Sequence, residues 1–149
     1  MLMSRARRSA SGIGPGPLLQ VTATRVAGRP RPDGRLSMTL LLHIQGELTV
    51  RTRNHCRLRL RQHLRHAPDR LVVDLRGADP VDVVGIAVVV RLARAVRSMG
   101  GEAVVVNAGH RAERAITLLG SEGLLGREEG IAAMAVVSAL LTVTSTMPA

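Results

Sequence analysis

The chain has 149 residues and a formal net charge of +10; 46% of its residues are hydrophobic and 21% are charged. This length suits one domain, and the balance of apolar and charged residues excludes a disordered or collagen-like chain. The sequence contains no Phe, Tyr or Trp. Stacking of nucleobases on aromatic rings and an aromatic belt at a membrane surface are therefore excluded.

The only cysteine is Cys56, so neither an intrachain disulfide nor a cysteine-rich metal framework can form. Since the chain does not need an oxidising compartment, we expect a cytoplasmic protein. We predict no cofactor and no small-molecule substrate.

The two ends of the chain differ from its centre. Residues 1–17 combine three arginines with a Gly- and Pro-rich run and no apolar periodicity, which predicts a flexible basic leader. No apolar segment of signal-peptide length follows the arginines. Residues 131–143 are almost continuously apolar but shorter than the ~17 residues of a membrane-spanning helix, which favours a buried terminal helix. We predict one domain over residues 18–145 and a short tail over residues 146–149.

Two strands open the predicted domain. Residues 19–26 are rich in β-branched side chains, and residues 36–48 alternate along two apolar faces. The Arg-Pro-Arg-Pro-Asp-Gly sequence of residues 29–34 predicts the turn between them. The second strand presents Leu40, Leu42 and Ile44 on one face and Leu41 and His43 on the other. We therefore expect both of its faces to be at least partly covered.

A helix and a buried strand follow. Residues 49–67 fit both strand and helix periodicity, and their length favours a helix. Residues 70–75 form a short β-branched run typical of a parallel strand. Asp79-Pro80 predicts a turn, and Asp82 a helix cap. The next helix has an apolar stripe formed by Ile86, Val89, Val90, Ala93 and Val96, and Gly100-Gly101 ends it.

The alternation then repeats once. Residues 103–106 predict another strand, and Asn107 is the expected cap of a helix that ends at Gly120. The inward side chains of that helix are Ala112, Ala115, Ile116 and Leu119. The order of elements predicts an α/β domain with a mixed, partly parallel sheet, helices packed on it and a hairpin at one side.

Several short motifs occur together in a recognisable order: Gly46-Glu47-Leu48, Leu71-Val72-Val73-Asp74-Leu75, Asp82-Val83-Val84-Gly85, residues 101–107 and Leu118-Leu119-Gly120. Their order and spacing resemble a STAS domain over residues 18–125. That family includes bacterial anti-sigma factor antagonists. The resemblance implies a STAS-type protein-interaction module that binds a partner acting as both anti-sigma factor and serine kinase.

In such antagonists the third motif usually reads Asp-Ser-Ser-Gly, and its first Ser accepts phosphate from that partner. Here Val83 and Val84 stand at the two Ser positions, so neither offers a hydroxyl for phosphoryl transfer. Thr49 stands where the family often has Asp. We expect a partner surface around Asp82, Val83, Val84, Gly85 and Thr49 that cannot be phosphorylated at the usual position. Helical spacing predicts that Val84 points inward, whereas the position of Val83 stays open.

Two other functions use the same sequence. The fold would also serve as a transport-associated STAS domain. Alternatively, the basic face of the first helix could bind nucleic acid through Arg51, Arg53, Arg57, Arg61 and Arg65. Because no aromatic residues are interleaved with these arginines, a solvated basic face is the favoured interpretation.

Catalysis and metal binding have little support in the sequence. Asp79 and Asp82 are explained as a loop acid and a helix cap, so we predict no enzyme activity. A metal cluster is conceivable at His55, Cys56, His63 and His66, but a structural role is favoured. Other candidate phosphate acceptors are Ser98, Thr117 and Ser121, the last in a turn that we expect to be exposed.

Overall fold

Four strands and three helices form residues 18–126, the part of the chain that the computed structural model describes. The elements are β1 (Leu19–Pro30), β2 (Leu36–Leu48), α1 (Arg53–His63), β3 (Arg70–Val81), α2 (Val83–Ser98), β4 (Glu102–Val106) and α3 (His110–Leu118), followed by a short 3-10 helix (Glu122–Leu124). The predicted leader, terminal apolar helix and tail lie outside the described residues.

The four strands form one sheet in the order β1-β2-β3-β4. Strands β1 and β2 are an antiparallel hairpin, whereas β3 pairs in parallel with both β2 and β4. The mixed α/β architecture and the hairpin at one side confirm the prediction. Residues 49–67 do contain a helix, although α1 occupies only Arg53–His63 of them.

The main core lies between the sheet and the helices. Alternate residues of β2 and β3 face it, as the period of two in a strand requires. All five residues of the apolar stripe predicted for α2 are at most 2% exposed. Helix α1 contributes Cys56 and Leu60 to the same cluster, and α3 contributes Ala112, Ala115 and Ile116. The amphipathic faces of the helices therefore bury one side of the sheet.

The opposite face of the sheet is also apolar at its centre, where Leu41, Val72 and Val106 are buried together. Beside them, the buried carboxylate of Asp74 accepts a hydrogen bond from Asn107 Nδ2 at 3.0 Å and lies 2.9 Å from His43 Nδ1. Both faces of β2 are covered, as predicted.

The turn predicted at Asp79-Pro80 is wrong, because both residues belong to β3. Strand β2 extends to Leu48, whose register partner is Val81, and this pairing keeps the chain extended past the proline. Pairing with β4 ends earlier, at Asp74 and Val106. Pro80 therefore lies where β3 has no neighbour on one side, a position in which a missing N–H is tolerated.

Asn107 is not the cap of α3, because that helix begins at His110 with Gly109 as its N-cap residue. Asn107 instead takes a left-handed backbone conformation, with φ of 55°. Asn tolerates this conformation better than most residues. The side-chain amide of Asn107 donates a hydrogen bond to Asp74. Among the described residues, no helix is long and apolar enough to cross a membrane.

Candidate partner-binding site at the start of helix α2

Asp82 joins the start of α2 to the loop between β2 and α1. Its Oδ1 accepts a hydrogen bond from the backbone N–H of Gly85 at 2.7 Å, and its Oδ2 accepts one from that of Val50 at 3.0 Å. Its own N–H donates to the carbonyl of Leu48 at 3.1 Å. The first contact is the helix cap predicted from the sequence. The second was not predicted, and it fixes the loop against the helix.

Gly85 is required by the close approach of the β2 backbone. A Cβ atom added there would lie 2.1 Å from the carbonyl oxygen of Leu48 and 2.6 Å from the nitrogen of Thr49. Both neighbours are backbone atoms, so they cannot move as a flexible side chain can. The spacing Asp-x-x-Gly is thus explained by one cap and one backbone contact.

The Gly46-Glu47-Leu48 motif is held by the start of β1. Gly46 has φ of 93°, and a Cβ atom there would lie 2.2 Å from the carbonyl oxygen of Leu18. The N–H of Glu47 donates to that same carbonyl at 2.7 Å. A side chain at position 46 would break this pairing, so glycine sets the path of the chain into the loop.

The loop that follows is stabilised by two threonine hydroxyls. Thr49 Oγ1 donates to Glu47 Oε2 at 2.7 Å and accepts from the N–H of Arg51 at 3.2 Å. Thr52 Oγ1 donates to the carbonyl of Glu47 at 2.7 Å. The half-buried Thr49 therefore stabilises the loop from within, and its hydroxyl is already occupied.

Three exposed valines lie around the start of α2. Val50 is 53% exposed, Val83 41% and Val84 36%. The prediction that Val84 points inward is wrong, because it precedes Ile86 by two residues and thus lies on another side of the helix from the buried stripe. Val50 was not predicted as part of the site, because it lies within the longer helix predicted for residues 49–67. We call Val50, Val83 and Val84 the valine patch.

The valine patch is uncharged, and the nearby charges have partners. Glu47 lies 3.7 Å from the Nε of Arg51, and both carboxylate oxygens of Asp82 accept backbone hydrogen bonds. The first turn of α2 contains no acidic residue. The patch thus offers apolar area at a helix N-terminus, where the helix dipole favours negative charge.

The other predicted site residues do not join this site. Asp79 is exposed on β3, and the structure gives it no role beside Asp82. The five arginines of the basic face are exposed: Arg51, Arg53, Arg57, Arg61 and Arg65.

The other candidate phosphate acceptors differ in exposure. Ser98 and Thr117 are exposed, whereas Ser121 is only 6% exposed and receives a hydrogen bond from Arg94. The expectation that Ser121 lies in an exposed turn is wrong, because Arg94 and the end of α3 enclose it.

The four candidate metal ligands are not arranged as a metal centre: His55, Cys56, His63 and His66. Within residues 18–126 no three His, Cys, Asp or Glu side chains form a group that could hold a metal ion. Cys56 is buried in the core, and this burial raises the pKa of its thiol to about 12. Partial burial and the nearby Arg25 and Arg59 lower the pKa of His63. Burial thus favours the uncharged thiol of Cys56, and the surroundings of His63 favour its uncharged imidazole.

Comparison with known proteins places this geometry in a family. The family model for the STAS domain matches residues 30–130, which is more than half of the chain. The chain therefore belongs to the STAS domain family. A comparison with curated protein sequences found no significant match.

Solved structures share the fold. The anti-sigma factor antagonist SpoIIAA in its unphosphorylated form has a TM-score of 0.53 at 16% identity, over 68% of this chain and 89% of that one. An anti-sigma factor antagonist from Mycobacterium paratuberculosis has a TM-score of 0.56 at 18% identity, over 76% of this chain and 93% of that one. At these identities the likeness is one of fold.

Proposed function

We propose that this chain is a non-enzymatic STAS-type interaction module that binds an anti-sigma factor with serine kinase activity. The contact surface is the valine patch together with the capped start of α2. The observation that carries the proposal is the 41% exposure of Val83 at that helix start. An exposed aliphatic side chain there has no part in the core and is available to a partner.

The surface is also preorganised for binding. Asp82 fixes the loop that carries Val50, and Gly85 lets the helix start lie directly against β2. A partner therefore meets a patch whose backbone is already ordered, so binding loses less conformational entropy than it would on a mobile loop.

The same surface lacks the usual means of being switched off. A phosphate would add about −1.5 to −2 charges at this position. Val83 has no hydroxyl to accept it, and neither does Val84. The proposal is a module that stays in its uncharged, binding-competent state in the cytoplasm, whatever the kinase activity of its partner.

The test is titration calorimetry against the anti-sigma factor kinases encoded near this gene. We expect the wild type to bind, and Val83→Asp to bind at least about tenfold more weakly because it places a charge inside an apolar contact. The matched control is Leu118→Asp, which adds the same charge to a 73% exposed leucine at the end of α3 and should leave the affinity unchanged.

Two results would overturn the proposal. One is the absence of wild-type binding to every such kinase. The other is equal affinity of the wild type and the Val83→Asp variant, because it would place the contact elsewhere on the domain.

A further inference from the structure

A groove of about 380 Å³ runs between helices α1 and α2, adjoining the valine patch. Val84, Val88 and Leu92 lie along its floor at intervals of four residues, and Ala95 lies at its far end. Its rim consists of arginines from both helices: Arg53, Arg57, Arg61 and Arg91. An apolar floor with a basic rim is the pattern of a site for an amphipathic anion.

The charge of this groove is not offset by its own helices. Neither α1 nor α2 contains an Asp or a Glu. Among the described residues, none of the four rim arginines takes part in an ion pair. Arg57 donates one hydrogen bond to the side chain of Asn54, at 3.0 Å. The positive potential of the rim is thus available to a ligand.

The shape of the groove selects the kind of ligand. The floor from Val84 to Ala95 spans about 16 Å, or three helical turns, at ~1.5 Å per residue. The arginines of α1 recur every four residues, which matches the spacing of carboxylates on one side of a helix. Two adjacent helices with an apolar seam offer the groove in which a third helix can lie.

We propose that this groove binds an acidic amphipathic helix of a protein partner. Leucine-like side chains of that helix cover the floor, and its Asp or Glu residues face the arginine rim. A nucleic acid would use the arginines but leave the floor of Val84, Val88 and Leu92 uncovered, and the sequence has no aromatic residue to stack its bases.

This inference states the chemistry of a partner for the proposed function. It rests on the proposed function because Val84 belongs to both the valine patch and the groove. The groove, however, lies along the sides of α1 and α2, whereas Val83 belongs to the helix start and does not line the groove. The two surfaces can therefore be altered separately.

The test uses a fluorescein-labelled helical peptide of about 15 residues, long enough for three turns with frayed ends. Leucines recur every three or four positions, and glutamates flank that stripe. The comparison peptide has the same composition in scrambled order, so its net charge is equal but its stripe is lost. Binding is measured by fluorescence anisotropy at physiological salt.

We expect the striped peptide to bind the wild type at least about tenfold more tightly than the scrambled one. The double variant Arg57→Glu/Arg61→Glu should weaken the striped peptide about tenfold or more, because two attractive rim charges become repulsive. Ala95→Glu, at an exposed position of the groove, should weaken it in the same direction.

The matched control is Arg111→Glu/Arg114→Glu, which makes the same charge change on exposed residues of α3 and should leave the striped peptide bound. Circular dichroism of every variant confirms that the fold is retained. Val83→Asp should also leave peptide binding intact.

Three results would overturn the groove proposal. Equal binding of the two peptides would show that the apolar floor has no role in binding. Unchanged binding by the groove variants would show that the peptide contacts another surface. The third result combines two observations. A single-stranded DNA oligonucleotide binds the wild type and loses binding only in the groove variants, and the striped peptide binds no better than the scrambled one. In that case the arginines bind phosphate. If the peptide fails while the anti-sigma factor titration still depends on Val83, the proposed function stands without the groove.

Discussion

Replacing Asp82 with alanine tests how the start of α2 is built. The substitution removes the acceptor for the N–H of Gly85 and the acceptor for the N–H of Val50. Losing an N-cap side chain costs about 1 kcal/mol, and losing a hydrogen bond to a charged acceptor costs about 1.5 kcal/mol. Because Asp82 is half-buried and the Val50 contact is exposed to solvent, we expect a total loss of about 2 kcal/mol.

The assay is urea unfolding followed by far-ultraviolet circular dichroism, since a chain without Phe, Tyr or Trp has no intrinsic aromatic fluorescence. With a slope of roughly 2 kcal/mol per M, the midpoint should fall by about 1 M. Asp82→Asn should lose about half as much, because its amide oxygen can still cap the helix but its amide nitrogen cannot accept from Val50.

The matched control is Asp79→Ala, which removes an exposed carboxylate three residues earlier. We expect its free energy of unfolding to stay within about 0.5 kcal/mol of the wild type. Equal losses for the two alanine variants, or no loss at Asp82, would refute the assigned role of its two hydrogen bonds.

Three further predictions concern Gly85, Cys56 and His63. Gly85→Ala should lose about 2 kcal/mol or more in the same assay, because its Cβ would lie 2.1 Å from the carbonyl oxygen of Leu48; wild-type stability would contradict the close backbone approach. Iodoacetamide at pH 8 should modify Cys56 roughly a hundredfold more slowly in the folded than in the urea-unfolded protein, since burial raises its pKa to about 12; equal rates would show that the thiol is accessible. The lowered pKa of His63 means that the folded chain binds a proton less readily than the unfolded chain, so stability is retained above the ordinary histidine range and falls as the pH drops through it. His63→Gln should reduce that fall between about pH 7 and pH 5, measured by urea midpoints, and an unchanged slope would contradict the assignment.

Much of the fold could be predicted because its periodicities are strong. The bounds predicted for β2, residues 36–48, are those of the structure, and the buried stripe of α2 is as expected. The cap by Asp82 also followed from the sequence, because capping depends on residues close together in the chain. Such local signals are present before any tertiary contact is known.

The errors arise where a distant strand or side chain decides the outcome. Pro80 reads as a turn, but pairing with β2 keeps it in β3. Asn107 was predicted as a helix cap, but its side-chain amide donates a hydrogen bond to Asp74, which is distant in sequence. Ser121 was predicted to be exposed, but Arg94 from α2 donates a hydrogen bond to its hydroxyl and covers it. None of these contacts is encoded in the neighbouring residues.

The candidate site was predictable only in part for the same reason. The Asp-x-x-Gly spacing pointed to the start of α2, whereas Val50 joined the site through a hydrogen bond that spans 32 residues. The groove between α1 and α2 likewise depends on how two helices pack, although its arginines were visible as a basic face in the sequence.

The most direct test of the central claim is to incubate the complex of this protein and the anti-sigma factor kinase proposed as its partner with Mg-ATP. Intact mass and native gel mobility are then followed together for the wild type and for Val83→Ser. We predict that the wild type keeps its mass and stays bound, whereas Val83→Ser gains one phosphate and dissociates. Dissociation of the wild type on addition of Mg-ATP, or a phosphate on its own chain that releases the partner, would contradict the claim of a binding surface without a phosphorylation switch.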